Sequence, residues 1–183
     1  MGWVCGECGL DYDKIAPTDI PVALRSYPRR YREALALHDD DDHDEDEDED
    51  EAILRARPEP EVWSALEYAA HVDDVFADFI DMFRGWLGSG TPGGGNWDPD
   101  ERAAEQRYNE HDPDAVLADL AEHASALAGV LDRAEPEDWT RTGKFPFGER
   151  DLLTMARNAV HEGAHHLRDI RKVLGQVRSA GSA

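Results

Sequence analysis

A chain of 183 residues, 40% of them hydrophobic, is long enough for one domain with a real core and too short for two of ordinary size. Its 41 acidic residues against 19 basic ones leave a net charge of -22, which argues against a nucleic-acid partner because phosphate binding needs clustered Lys and Arg. No stretch reaches the roughly 18 apolar residues of a membrane span, and the N-terminus has no basic leader ahead of an apolar run. The expected setting is therefore the cytoplasm, with no membrane partner.

Residues 1–17 read as a short N-terminal knuckle, loop rather than helix, built around Cys5 and Cys8. A C-x-x-C pair with a glycine after each cysteine is half of a zinc-ribbon site or a redox pair. A closed structural zinc needs four ligands; His38, His43 or a second subunit are candidate sources of the other two, and unpaired, reduced cysteines are the default expectation. Glu7, Asp11 and Asp13 should push the thiol pKa up, against a redox role.

Residues 18–177 carry the main domain. Thr18 or Asp19 caps a first helix with Val22, Leu24, Tyr27, Tyr31, Leu35 and Leu37 at roughly helical spacing, interrupted by Pro28. From residue 39 to 51 every residue but His43 is acidic, and self-repulsion makes this a disordered, solvated insertion. After Pro58 and Pro60 the run EVWSALEYAAHVDDVFADFIDMFRGWL reads as the second helix, with Tyr68, His71, Val75, Phe79, Met82 and Trp86 along one stripe.

The loop GSGTPGGGNWDPD leads to a third helix from Asp112 to about Ala134, carrying Val116, Leu117, Leu120, Leu127, Val130 and Leu131 with Pro113 at its first position. The loop EPEDWTRTGKFPFG precedes a fourth helix over about 149–177, and 178–183 form a flexible tail. Four helices without an alternating strand pattern predict an all-α, antiparallel four-helix bundle.

The chemistry concentrates in HEGAHHLRDI. Glu162 and His166 stand one turn apart on the fourth helix, as do His161 and His165. On a helical wheel the apolar stripe runs through Leu153, Ala156, Val160, Gly163, Leu167, Ile170 and Leu174, so His161 and His165 face solvent while Glu162 and His166 border the stripe. A buried Glu needs a partner or a cation. With His71 from the second helix, Glu162 and His166 make an open three-ligand site for a divalent metal; His161 and His165 are the alternative pair. Zinc, nickel, iron, manganese and cobalt all accept such donors, with zinc or nickel the leading candidates. Asp169 is placed to accept a hydrogen bond from a ligand imidazole. Arg150 and Arg157, upstream on the same helix, are candidate clamps for an anionic substrate.

With WSALEYAAHVDDVF, NWD and HEGAHHLRDI in place, the chain resembles the DinB-like superfamily of metal-binding four-helix bundles over roughly residues 20–177. The resemblance implies a divalent ion held by one His of the second helix and two residues four apart on the fourth. In the mycothiol-dependent maleylpyruvate isomerase branch that pair is Glu and His, as Glu162 and His166 would be. Thiol-dependent transferases and isomerases using mycothiol, bacillithiol or glutathione are the implied activities, with a small-molecule substrate and homodimer formation among the superfamily's habits. Hydrolysis through an activated water fits the same site. A different class of function is a non-enzymatic metal-binding or stress-response protein whose knuckle and acidic segment dock partners.

Overall fold

The structure is a computed structural model that describes residues 3–35, 47–88 and 97–181. Four long helices build the core: α1 (Asp19–Leu35), α3 (Ala65–Leu87), α5 (Pro113–Leu131) and α6 (Leu152–Gly181). Two short helices, α2 (Glu47–Arg55) and α4 (Pro99–Gln106), one hairpin of β1 (Thr142–Phe145) and β2 (Gly148–Asp151), and three single 3-10 turns at Tyr12–Lys14, Tyr108–Glu110 and Asp138–Thr140 complete the described elements. The all-α bundle anticipated from the helical periodicities is present. None of the described helices is long and apolar enough to cross a membrane.

In α1 the buried positions Ile20, Leu24, Tyr27, Tyr31 and Leu35 follow steps of three and four. Val22, expected to face inward, is 68% exposed. Two residues after Ile20 is about 200° round the helix, which puts Val22 on the outer face. Leu37 lies outside the described residues.

The end of the acidic run is helical rather than extended. Residues 39–46 lie outside the described part, but Glu47–Glu51 open α2. The helix is anchored by Leu54, 1% exposed, and by Arg55, which pairs with Glu51 one turn back and donates to the carbonyls of Asn109 and His111 at 2.6 and 2.9 Å. One apolar anchor and one guanidinium outweigh the repulsion at this end of the run.

The second helix of the sequence reading starts later than expected, at Ala65, because Ser64 and Glu67 form a capping box. Tyr68, Val75 and Met82 from the expected stripe are only half-buried, whereas Leu66, Val72, Phe76 and Phe83 are fully inside. α3 packs on both α5 and α6, so its buried face is wider than a single stripe.

The segment before Asp112, read as loop, contains α4. Its eight residues PDERAAEQ bury only Ala103, so no apolar periodicity announced it; Asp98 caps it and Pro99 takes its first position. Asp112 caps α5 as expected, and all six apolar positions named for that helix are buried. The hairpin lies in the loop before α6, with Phe145 resting on Trp86, and it takes Arg150 off the helix. α6 then runs to Gly181, four residues into the expected tail.

Around the bundle α5 lies between α1 and α3, and α6 closes the ring between α3 and α1. The Tyr27 and Tyr31 hydroxyls donate to the carbonyls of Val160 and Gly163 at 2.6 and 3.0 Å. This closeness demands glycine: a Cβ on Gly163 would sit 2.5 Å from the Tyr27 ring. The N-terminal segment is likewise packed on α6. Tyr12 donates to Asn158 at 2.9 Å, and Arg157 donates twice to the Ile15 carbonyl, at 3.0 and 2.8 Å.

Candidate metal centre

α3 and α6 run antiparallel where they meet, so that Tyr68 stacks on His166 near one end while Trp86 touches Phe145 at the other. One turn along α3 from Tyr68, His71 faces Glu162. Its Nε2 lies 3.9 Å from Glu162 Oε2, and His166 Nε2 lies 3.4 Å from the same oxygen. One donor atom from each of His71, Glu162 and His166 falls within 4.8 Å of the others. The two imidazoles stand nearly perpendicular, 4.9 Å apart between centroids.

The electrostatics follow from burial and contact. Burial raises the Glu162 carboxyl, but the His166 and His71 imidazoles beside it prevail and hold it well below the usual carboxylate range. Burial lowers His166, yet Asp169 and Glu162 outweigh it and bring the imidazole up to about 9. Asp169 accepts from His166 Nδ1 at 3.1 Å, and despite partial burial this contact pulls its own carboxyl down. His71 is only 5% exposed, and its Nδ1 is buried with no hydrogen-bond partner among the described residues.

Aromatic rings wall the cluster. Trp63 lies 5.1 Å and Trp97 5.7 Å from the His71 ring, centroid to centroid. Trp97 is fixed by its indole N–H donating to Asp78 at 2.7 Å and by Arg102 lying 4.7 Å over its ring; Arg102 is itself held in a fork by Asp74 at 2.6 and 2.7 Å. The sequence reading missed Trp63 and Trp97 as wall residues, although NWD and the Trp before the Ser64 cap were visible signals.

The other candidates are distributed differently. His161 and His165, expected on the solvent face, are half-buried because the N-terminal knuckle covers that face of α6. Neither joins His71; both stand instead with Cys5 and Cys8 in a second cluster, again with one donor atom each within 4.8 Å. His38 and His43, candidate partners of the cysteines, lie outside the described residues. The Cys5 thiol is lowered to about 6, chiefly because the Cys8 backbone N–H is directed at its sulfur, against burial, with His161 adding to the effect. Amide donors thus override the acidic neighbours expected to raise it; Cys8 does go up, and burial is the main cause.

Arg157 donates twice to the Ile15 carbonyl and ties the N-terminal segment to α6. Arg150 sits on β2 with its guanidinium over Phe147 and on the Glu149 carbonyl, outside both clusters. A cavity of about 210 Å³, lined by Pro58, Glu59, Val62, Tyr68, Asp169 and Lys172 among others, adjoins the first cluster through Tyr68 and Asp169, both in contact with His166.

A sequence profile described as the DinB superfamily matches residues 23–170. The chain belongs to the DinB superfamily. Among solved structures, YfiT from Bacillus subtilis, described as a probable metal-dependent hydrolase with an unusual four-helix bundle topology, aligns with a TM-score of 0.74 at 17% identity, covering 92% of this chain and 91% of that one. The mycothiol-dependent maleylpyruvate isomerase aligns with a TM-score of 0.65 at 14% identity, covering 87% of this chain and 62% of that one. A point mutant of that isomerase gives 0.63 at 15%, with the same coverage. This DinB-superfamily chain thus spans 62% of the isomerase's length, and at these identities the likeness is one of fold. A comparison with curated proteins gives no match.

Proposed function

We propose that this DinB-superfamily protein is a metal-dependent enzyme that activates a low-molecular-weight thiol such as mycothiol, or a water molecule, for transfer, isomerisation or hydrolysis on a small molecule. The observation that carries the reading is the convergence of His71, Glu162 and His166 from two helices on one buried spot. The donor set suits a divalent ion of the zinc or nickel kind, and three protein ligands are the number a catalytic site uses when it keeps a position open.

A cation held there supplies Lewis acidity, lowering the pKa of a thiol or water brought to it. The chain's own residues do the rest. Asp169, accepting from Nδ1 of His166, fixes that proton on Nδ1 and leaves Nε2 directed at Glu162. Trp63, Tyr68 and Trp97 exclude bulk water from the imidazoles, and the 210 Å³ cavity beside Tyr68 and Asp169 offers room for a small molecule.

The test compares metal content, after dialysis, of the wild type with His71→Ala and His166→Ala, and titrates mycothiol into the metal-loaded wild type. Loss of one equivalent in both variants, with thiol binding that requires metal, supports the proposal. Unchanged stoichiometry removes these residues as ligands; intact metal with no thiol binding moves the reading to hydrolysis.

A further inference from the structure

We propose a second, closed metal site in which Cys5 and Cys8 of the N-terminal knuckle and His161 and His165 of α6 hold one zinc-type cation. The two pairs lie more than 150 residues apart in sequence, and the knuckle lies outside residues 23–170, the part matched by the superfamily profile. Packing of residues 3–15 onto α6 brings the four donors together, all within 4.8 Å of one another. Two thiolates and two imidazoles are a donor set of closed structural zinc sites, and no fourth position is left for a substrate.

The sulfur-to-nitrogen distance from Cys5 to His165 agrees with a shared tetrahedral ion. Metal bonds of about 2.3 Å to sulfur and 2.0–2.1 Å to nitrogen imply a sulfur-to-nitrogen edge of about 3.6 Å. Cys5 Sγ lies 3.5 Å from His165 Nδ1. The knuckle is shaped for the purpose: Gly9, with φ +74°, turns the chain after Cys8, its N–H reaches the Cys5 carbonyl at 2.9 Å, and the Cys5 N–H reaches the Leu10 carbonyl at 2.9 Å. Neither cysteine is in a disulfide.

Two further observations point to a ligand. His161 Nε2 is buried and has no hydrogen-bond partner among the described residues, although Trp3 packs edge-on against its ring at 4.9 Å. His165, whose Nδ1 faces Cys5, turns Nε2 toward Asp169 at 3.5 Å and Glu7 at 3.8 Å. That is the carboxylate support that orients a metal-bound imidazole. The ion would staple the N-terminal segment to α6, directly behind the helix face that carries Glu162 and His166.

Cobalt(II) loading of the full-length protein tests the site without reference to activity. The expected result is thiolate-to-cobalt charge-transfer bands with tetrahedral d–d absorption in the wild type and in His71→Ala, but not in the double variant Cys5→Ser/Cys8→Ser. Zinc content should fall from about two equivalents to about one in that double variant. Because His71→Ala removes only the first site, failure of the function proposed above leaves this signature in place. Should the double variant not fold, X-ray absorption at the zinc edge of the wild type decides: sulfur scatterers support the site, and nitrogen and oxygen alone overturn it. Cobalt spectra without thiolate bands, or a double variant with undiminished zinc, also overturn it.

Discussion

His165 and His166 are consecutive in the chain, yet their imidazole planes stand at 88° to each other, with centroids 5.4 Å apart, and they serve different clusters. A helix turns about 100° per residue, so neighbours on α6 look out on different surroundings. His166 faces α3 and His71; His165 faces the knuckle and Cys5. Asp169 joins the two: its Oδ2 lies 3.1 Å from His166 Nδ1 and 3.5 Å from His165 Nε2.

This shared carboxylate predicts a coupled defect. Replacing Asp169 with Asn should weaken metal binding at both clusters, by roughly 10- to 100-fold each, the usual cost of losing such a support. Competition against a chelator, followed by the cobalt signatures of the two sites, measures them separately. A loss confined to one site would show that Asp169 supports only that imidazole.

The metal-free protein should lose stability as the solution becomes alkaline. His166 is raised from 6.5 to about 9, so its contribution is fully present below pH 6.5 and disappears as pH rises through 9. Glu162 is depressed, so its contribution is present above 4.5 and is lost as pH falls well below that value. Thermal melts in chelator should therefore show Tm declining between about pH 6.5 and 9. Saturating metal, which takes the place of the His166 proton, should flatten that decline. A Tm that rises over this window in chelator would contradict the pairing.

Gly163→Ala should destabilise the fold by about 1–3 kcal/mol, the usual cost of forcing an added methyl group into a packed interface. The methyl would meet the Tyr27 ring, whose hydroxyl is held by the Val160 carbonyl and which cannot move freely. Denaturant melts of the variant against wild type measure this, and a neutral result would mean that α1 and α6 lie further apart than described.

Arg57→Ala should cost about 1–3 kcal/mol, because it strips the buried Glu67 of its forked partner. Glu67 is 3% exposed and receives both Arg57 and the Ser64 N–H, in the first turn of the helix that places His71. Glu67→Gln in the Arg57→Ala background should recover part of the loss in an equilibrium unfolding experiment, since the neutral amide is cheaper to bury unpaired. No recovery would assign the effect to the Arg57 side chain's packing instead.

The sequence by itself determined the bundle and the separate halves of both clusters. Three- and four-residue apolar steps specify amphipathic helices whatever their partners, so α1, α3, α5 and α6 were legible, as was the i,i+4 pairing of Glu162 with His166 and of His161 with His165. The elements it hid were those without period or apolar weight: α4 with one buried residue, the hairpin within TGKFPFGERD, and α2 growing out of an acidic run. Only the tertiary structure decided which histidine pair meets His71 and what stands opposite the other. The helical wheel marks a face as free of the core stripe, but it cannot know that residues 3–15 fold back over that face. The contacts that settle this, Cys5 with His165 and Arg157 with Ile15, join positions more than 140 residues apart, where no local spacing rule operates.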